Sequence, residues 1–368
     1  MLVQHEKEWF AVESEDKLRS LGMHPDFIFP EEDREMFLSD MEAALAGRKS
    51  SLSMTPTYRD LPDTLPQGAC VLAAAMEGAE LLACPVTVSD GTLHSGEISR
   101  CAVLGSQGAV DWEAFIAALA EFLAPLAGAA ESIGLAVSLP GTPTPEGDLT
   151  LALLSADIRV RDSQDKLLGA ALGKALAELG VTLPVTVLHT DPARLLGTLY
   201  TQPGAAGCMA LTVTDHLALC YREDNAYIRR SDRQLPDGCM VVETGAADYS
   251  GFVRGEYDLA AGDDRQLERM TTPAGIRALA RAAEVPEAEA VLLRRAAAML
   301  CACLGGVLLR TGAGDNPAAP VPVALEADAA LTAALRETAE AQLAGDLGRY
   351  VRFLPAASPL LGAAAAAL

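Results

Sequence analysis

Two stretches of this chain each place hairpin-forming strands ahead of helical sequence, and that repeated order restricts the fold more than any other feature. In the first, Cys70-Val71-Leu72-Ala73-Ala74 reads as a buried strand. Leu81-Leu82-Ala83-Cys84 and Val86-Thr87-Val88 read as the next strands, with Asp90-Gly91 as a hairpin turn. An amphipathic helix is expected over Trp112 to Leu126, a strand over Gly134 to Pro140, and a helix over Lys166 to Gly180. A strand over Val185 to Leu188 then precedes a helix from about Pro192, since proline suits a first turn. In the second stretch, Cys208 to Val213 and Leu217 to Tyr221 pair as a hairpin. Helices dominate from Leu267, and a last strand covers Val351 to Leu354. Leu360 to Leu368 reads as an Ala-rich terminal helix, and its tail, Ala363 to Ala367, as a plain low-complexity helix end. Ahead of all this, Pro30-Glu31-Glu32-Asp33 opens a helix with acids in its first turn, and Thr55 to Pro66 is too Pro-rich for regular structure. The pattern predicts a mixed α/β protein of two lobes.

Composition narrows the partners. The 368 residues allow two or three domain-sized units, and half of them are hydrophobic, enough for a sizeable core. Lys plus Arg number 28 against 50 Asp plus Glu, a formal charge of −22. Such a chain repels phosphate backbones and anionic headgroups, so neither nucleic acid nor a membrane surface is expected as a partner. Eight cysteines are too sparse for a disulfide scaffold. Glu6, Lys7 and Glu8 interrupt any apolar leader, and a cytoplasmic location is expected. The most apolar run, between Arg295 and Arg310, spans about 14 uncharged residues and reads as a buried helix, with Cys301 and Cys303 as core residues on it. The five histidines (His5, His24, His94, His189, His216) form no helical metal pattern, so no metal site is expected. Phosphate-binding and nucleophile-elbow motifs are absent, and these features alone name no activity.

A set of five segments is more informative. Ser53-Met54-Thr55-Pro56-Thr57-Tyr58 follows the first long helix, and a Pro-rich approach runs from Pro62 to Gly68. Ile133-Gly-Leu-Ala-Val-Ser-Leu-Pro140 is a strand ending in Ser138. Glu256-Tyr257-Asp258 precedes Gln266-Leu267-Glu268-Arg269-Met270, with Ile276, Leu279 and Arg281 beyond. Arg295-Ala-Ala-Ala-Met-Leu-Cys-Ala-Cys303 closes the set. In this order the segments resemble those of the hexokinase family, the ATP-dependent hexose kinases, from about Phe29 to the C-terminus. The resemblance implies an α/β, two-lobed actin-like (ribonuclease H-like) hexokinase fold with an inter-lobe cleft. It implies a small lobe of residues 61–188 and 349–368, and a large lobe of residues 1–60 and 189–348.

The chemistry of the family does not carry over intact. Its catalytic base, the Asp of an N-D-T segment, aligns with Thr190, a poor base at neutral pH; Asp191 lies one residue on and is the remaining candidate. The Asn of that segment aligns with His189. The first phosphate loop aligns with Ala73 to Ala79, which puts Ala74 at its Asp, Met76 and Glu77 at its glycines, and Gly78 after them. Glu77 is expected to fill the space of a β- or γ-phosphate. The second loop aligns with Thr214, Asp215, His216, Leu217 and Ala218, and the last nucleotide turn with Ala357 to Gly362, where only Gly362 agrees. Among sugar ligands, Ser138 and Glu268 agree and His189 is a substituted candidate. Leu153-Leu154 replace a Thr-Lys pair, and Gly245 replaces a glutamate.

The resemblance therefore implies a catalytically impaired hexose phosphotransferase homologue, a pseudokinase that keeps sugar or protein-partner binding. Two alternatives stay open. One is an active hexose kinase using ATP and magnesium through Asp191. The other is a non-enzymatic interaction subunit whose acidic surface suits a basic partner.

Overall fold

The computed structural model describes residues 14–60, 64–152, 158–201, 207–229, 235–285 and 287–368. Two six-stranded sheets carry the chain, and both follow one plan. In each, a three-stranded antiparallel meander continues through its first strand into two parallel strands. In the small-lobe sheet, Cys70–Glu77, Glu80–Ser89 and Thr92–Ser95 form the meander, while Ser132–Val137 and Val185–His189 run parallel to the first strand. Ser99–Ala102 also pairs with Glu80–Ser89. In the large-lobe sheet, Met209–Val213, Leu217–Asp224 and Cys239–Glu243 form the meander, and Val321–Ala327 and Val351–Pro355 run parallel. Thr55–Pro56 pairs at the meander's outer edge.

Local chemistry accounts for these turns. Asp90 and Gly91 both take positive φ (51° and 71°), the pair of left-handed residues that a two-residue hairpin requires. Pro85 does not divide Glu80–Ser89, so the two expected strands are one. The strand Val321–Ala327 was not expected, because Pro322 interrupts a short apolar run. Ladder pairing on both sides, with Met209–Val213 and Val351–Pro355, overrides that local signal. Thr55–Pro56 likewise adds a short strand within the Pro-rich stretch.

Three apolar layers result. Leu72, Ala74 and Met76 face outward in the small lobe, against the helices Trp112–Leu123 and Leu168–Glu178. The large lobe packs around Ala288–Thr311, whose apolar length suits a membrane but which is buried within the protein, with Cys301 and Cys303 in its core. Between the sheets lies a third layer. Val71, Ala73 and Ala75 of one sheet and Ala210, Cys220, Val241 and Ala324 of the other enclose the helices Thr190–Thr201 and Pro359–Ala367.

That layer corrects two expectations. Residues 349–368 do not form one small-lobe piece: Val351–Pro355 is an edge strand of the large-lobe sheet, and only the helix after it packs on the small-lobe strands. The alanine run is not a plain helix terminus either. Ala363, Ala364 and Ala365 are buried, and their small size lets the helix backbone approach its neighbours closely.

Candidate functional site

The junction of the strand Val185–His189 and the helix Thr190–Thr201 organises the site. The helix begins at Thr190, directly after the strand, so Asp191 sits in a helical first turn and not on a loop. An acid near the positive end of the helix dipole and Pro192 in the first turn both favour that start. Thr190 and Asp191 are both buried.

Asp191 is fully engaged. Thr212 Oγ1 donates to its Oδ1 at 2.6 Å, and His216 Nε2 lies 3.1 Å from Oδ2. Arg194, one helical turn on, approaches Oδ1 at 3.6 Å. Burial pushes the Asp191 pKa up, but the bonds from His216 and Thr212 outweigh it and hold the pKa below the usual carboxylate range. His216 Nδ1 contacts Asp215 Oδ1 at 3.0 Å, and Thr214 donates to the same oxygen at 2.9 Å. The Asp191 hydrogen bond, helped by Asp215, raises the His216 pKa to about 9, so the imidazole is a cation at neutral pH and donates to both acids. The turn Thr214-Asp215-His216 is thus tied to the first turn of the helix.

A second set of contacts reaches the small lobe. Arg194 meets Glu77 at 3.3 Å and Glu326 at 2.6 Å. Glu77 ends the first strand of the small-lobe sheet, while Glu326 lies on the unexpected strand of the large-lobe sheet. His189 Nδ1 sits 2.8 and 2.9 Å from the two oxygens of Glu243. Burial disfavours the charged ring, yet the Glu243 carboxylate raises the His189 pKa above its ordinary value.

The remaining expected positions divide. Glu268 accepts from the Leu217 amide at 3.0 Å and from Arg265 at 2.5 Å, so its carboxylate anchors the residue after His216. Ser138 is exposed just beyond Ser132–Val137. Ala74 and Met76 lie inside a strand, not in a phosphate loop, because they are buried on the small-lobe core. The turn is only Gly78 and Ala79, with Glu77 opposite Glu80 and Gly78 at φ 59°. Gly245 has φ 71°, and a Cβ there would overlap Ser53, so no acceptor side chain fits. Leu153 and Leu154 lie outside the described residues.

Sequence reasoning missed Thr212, Arg194, Glu243 and Glu326. Arg194 had a signal, since a cation three residues after Asp191 shares its helix face. Thr212, Glu243 and Glu326 had none, because strand pairing brings them in from distant sequence.

An open cavity of about 400 Å³ borders the network, lined by Glu77, Arg194, Glu326 and Ser358 among others. It does not suit a magnesium nucleotide. Two carboxylates face it, its guanidinium is already paired with both, and the hairpin turn offers little backbone to cradle phosphate. Among the described residues, no group of three or more His, Cys, Asp or Glu side chains is arranged to hold a metal ion.

The raised His216 pKa has a thermodynamic consequence. A histidine whose folded pKa exceeds its unfolded value of roughly 6.5 stabilises the fold fully below that pH. The stabilisation is lost as pH rises towards about 9. Urea midpoints of the wild type should therefore fall from pH 6.5 to 9, and His216→Gln should show a shallower fall. Equal slopes would remove the His216–Asp191 pair as a source of stability.

No protein-family model and no curated protein matches the chain by sequence. Solved structures do match its shape. A hexokinase from Schistosoma mansoni, complexed with glucose, superposes with a TM-score of 0.71 at 15% identity, over 97% of this chain and 99% of that one. An ROK hexokinase from Thermus thermophilus gives 0.56 at 17% identity, over 81% and 97%. An ROK family glucokinase from Streptomyces griseus, in complex with glucose and AMPPNP, gives 0.51 at 15% identity, over 81% and 99%. Two sheets of one topology, packed on a shared pair of helices and matched nearly end to end by the first of these structures, give this chain the two-lobed fold of hexokinases and ROK sugar kinases.

Proposed function

We propose that this chain is a sugar-kinase-like protein that keeps a hexose-binding cleft between its lobes and has lost effective phosphoryl transfer. The observation that carries the reading is the state of Asp191. Both of its oxygens are occupied, and its pKa is held low, whereas a general base works best with a pKa near the operating pH. Thr190, at the aligned base position, offers only a neutral hydroxyl. On the phosphate side, Glu77 and Glu326 add negative charge where a triphosphate requires positive charge, and Arg194 is spent on neutralising them.

Loss of a base alone removes about 10²–10⁴ in rate, and an unsuitable phosphate site compounds it. With magnesium-ATP and a panel of hexoses, the wild type should turn over no faster than Asp191→Ala. Glucose titration by calorimetry should still give saturable heat. Hexose-dependent turnover abolished by Asp191→Ala would make the chain an active kinase and defeat the proposal.

A further inference from the structure

Outside that network, Arg59 has no carboxylate partner among the described residues. Arg59 follows the strand Thr55–Pro56, and its carbonyl accepts from the Val241 amide at 2.8 Å, which fixes it to the large-lobe sheet. Its guanidinium lies on Gly147 of the small lobe. Gly147 in turn accepts from the Val187 amide at 2.8 Å, so the side chain spans the seam between the two sheets. Gly147 has φ 85°, and a Cβ there would overlap Arg59 Nη2; the seat exists only because that side chain is missing.

The guanidinium is poorly compensated. Nη1 donates to the Tyr58 carbonyl at 3.0 Å, while Nε is buried with no hydrogen-bond partner. Burial lowers its pKa, and no carboxylate counters that effect. Asp60, the next residue, and Glu243, on the strand that pairs with Thr55–Pro56, are committed elsewhere. Asp60 takes two bonds of 2.7 Å from Arg222, and Glu243 is paired with His189. A guanidinium drawn out of water without a counter-charge is costly, and in a chain of −22 no shortage of carboxylates explains it. Nη2 makes no hydrogen bond among the described residues and, unlike Nε, is not enclosed, so the guanidinium fork keeps a free donor for an oxygen of a carboxylate or phosphate.

We propose that Arg59, seated on Gly147, is an anion site at the seam between the lobes, taking a small molecule through a phosphate or carboxylate group. The site does not depend on whether phosphoryl transfer occurs.

Thermal unfolding of the full chain tests this, with inorganic phosphate or malonate titrated against sodium chloride at matched ionic strength. The wild type should gain stability saturably from at least one of the two anions. The larger response then tells phosphate from carboxylate chemistry. Arg59→Met should abolish the response and melt, without anion, at or above the wild-type temperature. Arg59→Lys keeps the charge and loses the fork, so its apparent affinity should fall at least tenfold. No saturable response in the wild type, or an equal response in Arg59→Met, overturns the site. Should Arg59→Met fail to fold, an unchanged response in Arg59→Lys overturns it instead.

Discussion

Arg295→Met is expected to lower the unfolding free energy by about 3–5 kcal/mol, the usual cost of breaking a buried ion pair from one side. Arg295 and Asp258 are each 1% exposed at the side chain and meet at 2.6 Å. The arginine also donates to the Val253 carbonyl, and Asp258 accepts from the Gly255 amide at 2.8 Å, so the pair pins the Glu256–Ala260 helix to Ala288–Thr311. Methionine fills much of the volume but leaves Asp258 buried without its cation. The pair is itself incompletely satisfied, since Arg295 Nε and Nη1 and Asp258 Oδ1 lack partners. The double variant Arg295→Met with Asp258→Asn should therefore recover a substantial part of the loss. Urea unfolding at neutral pH measures both, and a single-variant loss below about 1 kcal/mol would contradict the assignment.

Gly362→Val should destabilise the protein by about 3 kcal/mol, at the upper end of the range for overpacking, because backbone and not side chain stands in the way. A Cβ at Gly362 would overlap the carbonyl of Ala193, and one at Gly134 would overlap the carbonyl of Ala363. The Pro359–Ala367 helix is thus wedged between the Thr190–Thr201 helix and a small-lobe strand at near-contact backbone distance. Ala193 lies between Asp191 and Arg194, so displacing it also disturbs the charge network. The variant should accordingly lose the pH-dependent stability ascribed to His216 as well as overall stability. Denaturant unfolding at pH 6.5 and 9 reads both effects, and a Gly362→Val protein as stable as the wild type would show that the two helices do not pack this closely.

Much of the architecture was legible because strand and helix periods are local. Alternating and continuous apolar runs marked most strands of both sheets, and Asp90-Gly91 marked its hairpin. The Pro-interrupted strand at 321–327 was illegible, since its stability comes from two neighbouring strands. The Ala-rich end was misjudged because composition reports simplicity and says nothing of contact: alanine is uninformative alone and specific where two backbones nearly touch.

The site divides in the same way. Sequence by itself determined the acidic charge, the two-lobed plan and which catalytic side chains a hexokinase-like alignment lacks, for each is a property of residue order. Only the tertiary structure decided that Asp191 is bound by Thr212 and His216, that Arg194 joins Glu77 to Glu326, and that Arg59 is left without a carboxylate. A carboxylate's basicity and a cation's compensation depend on charges a few ångströms away, and strand pairing draws those charges from parts of the chain that no local pattern connects.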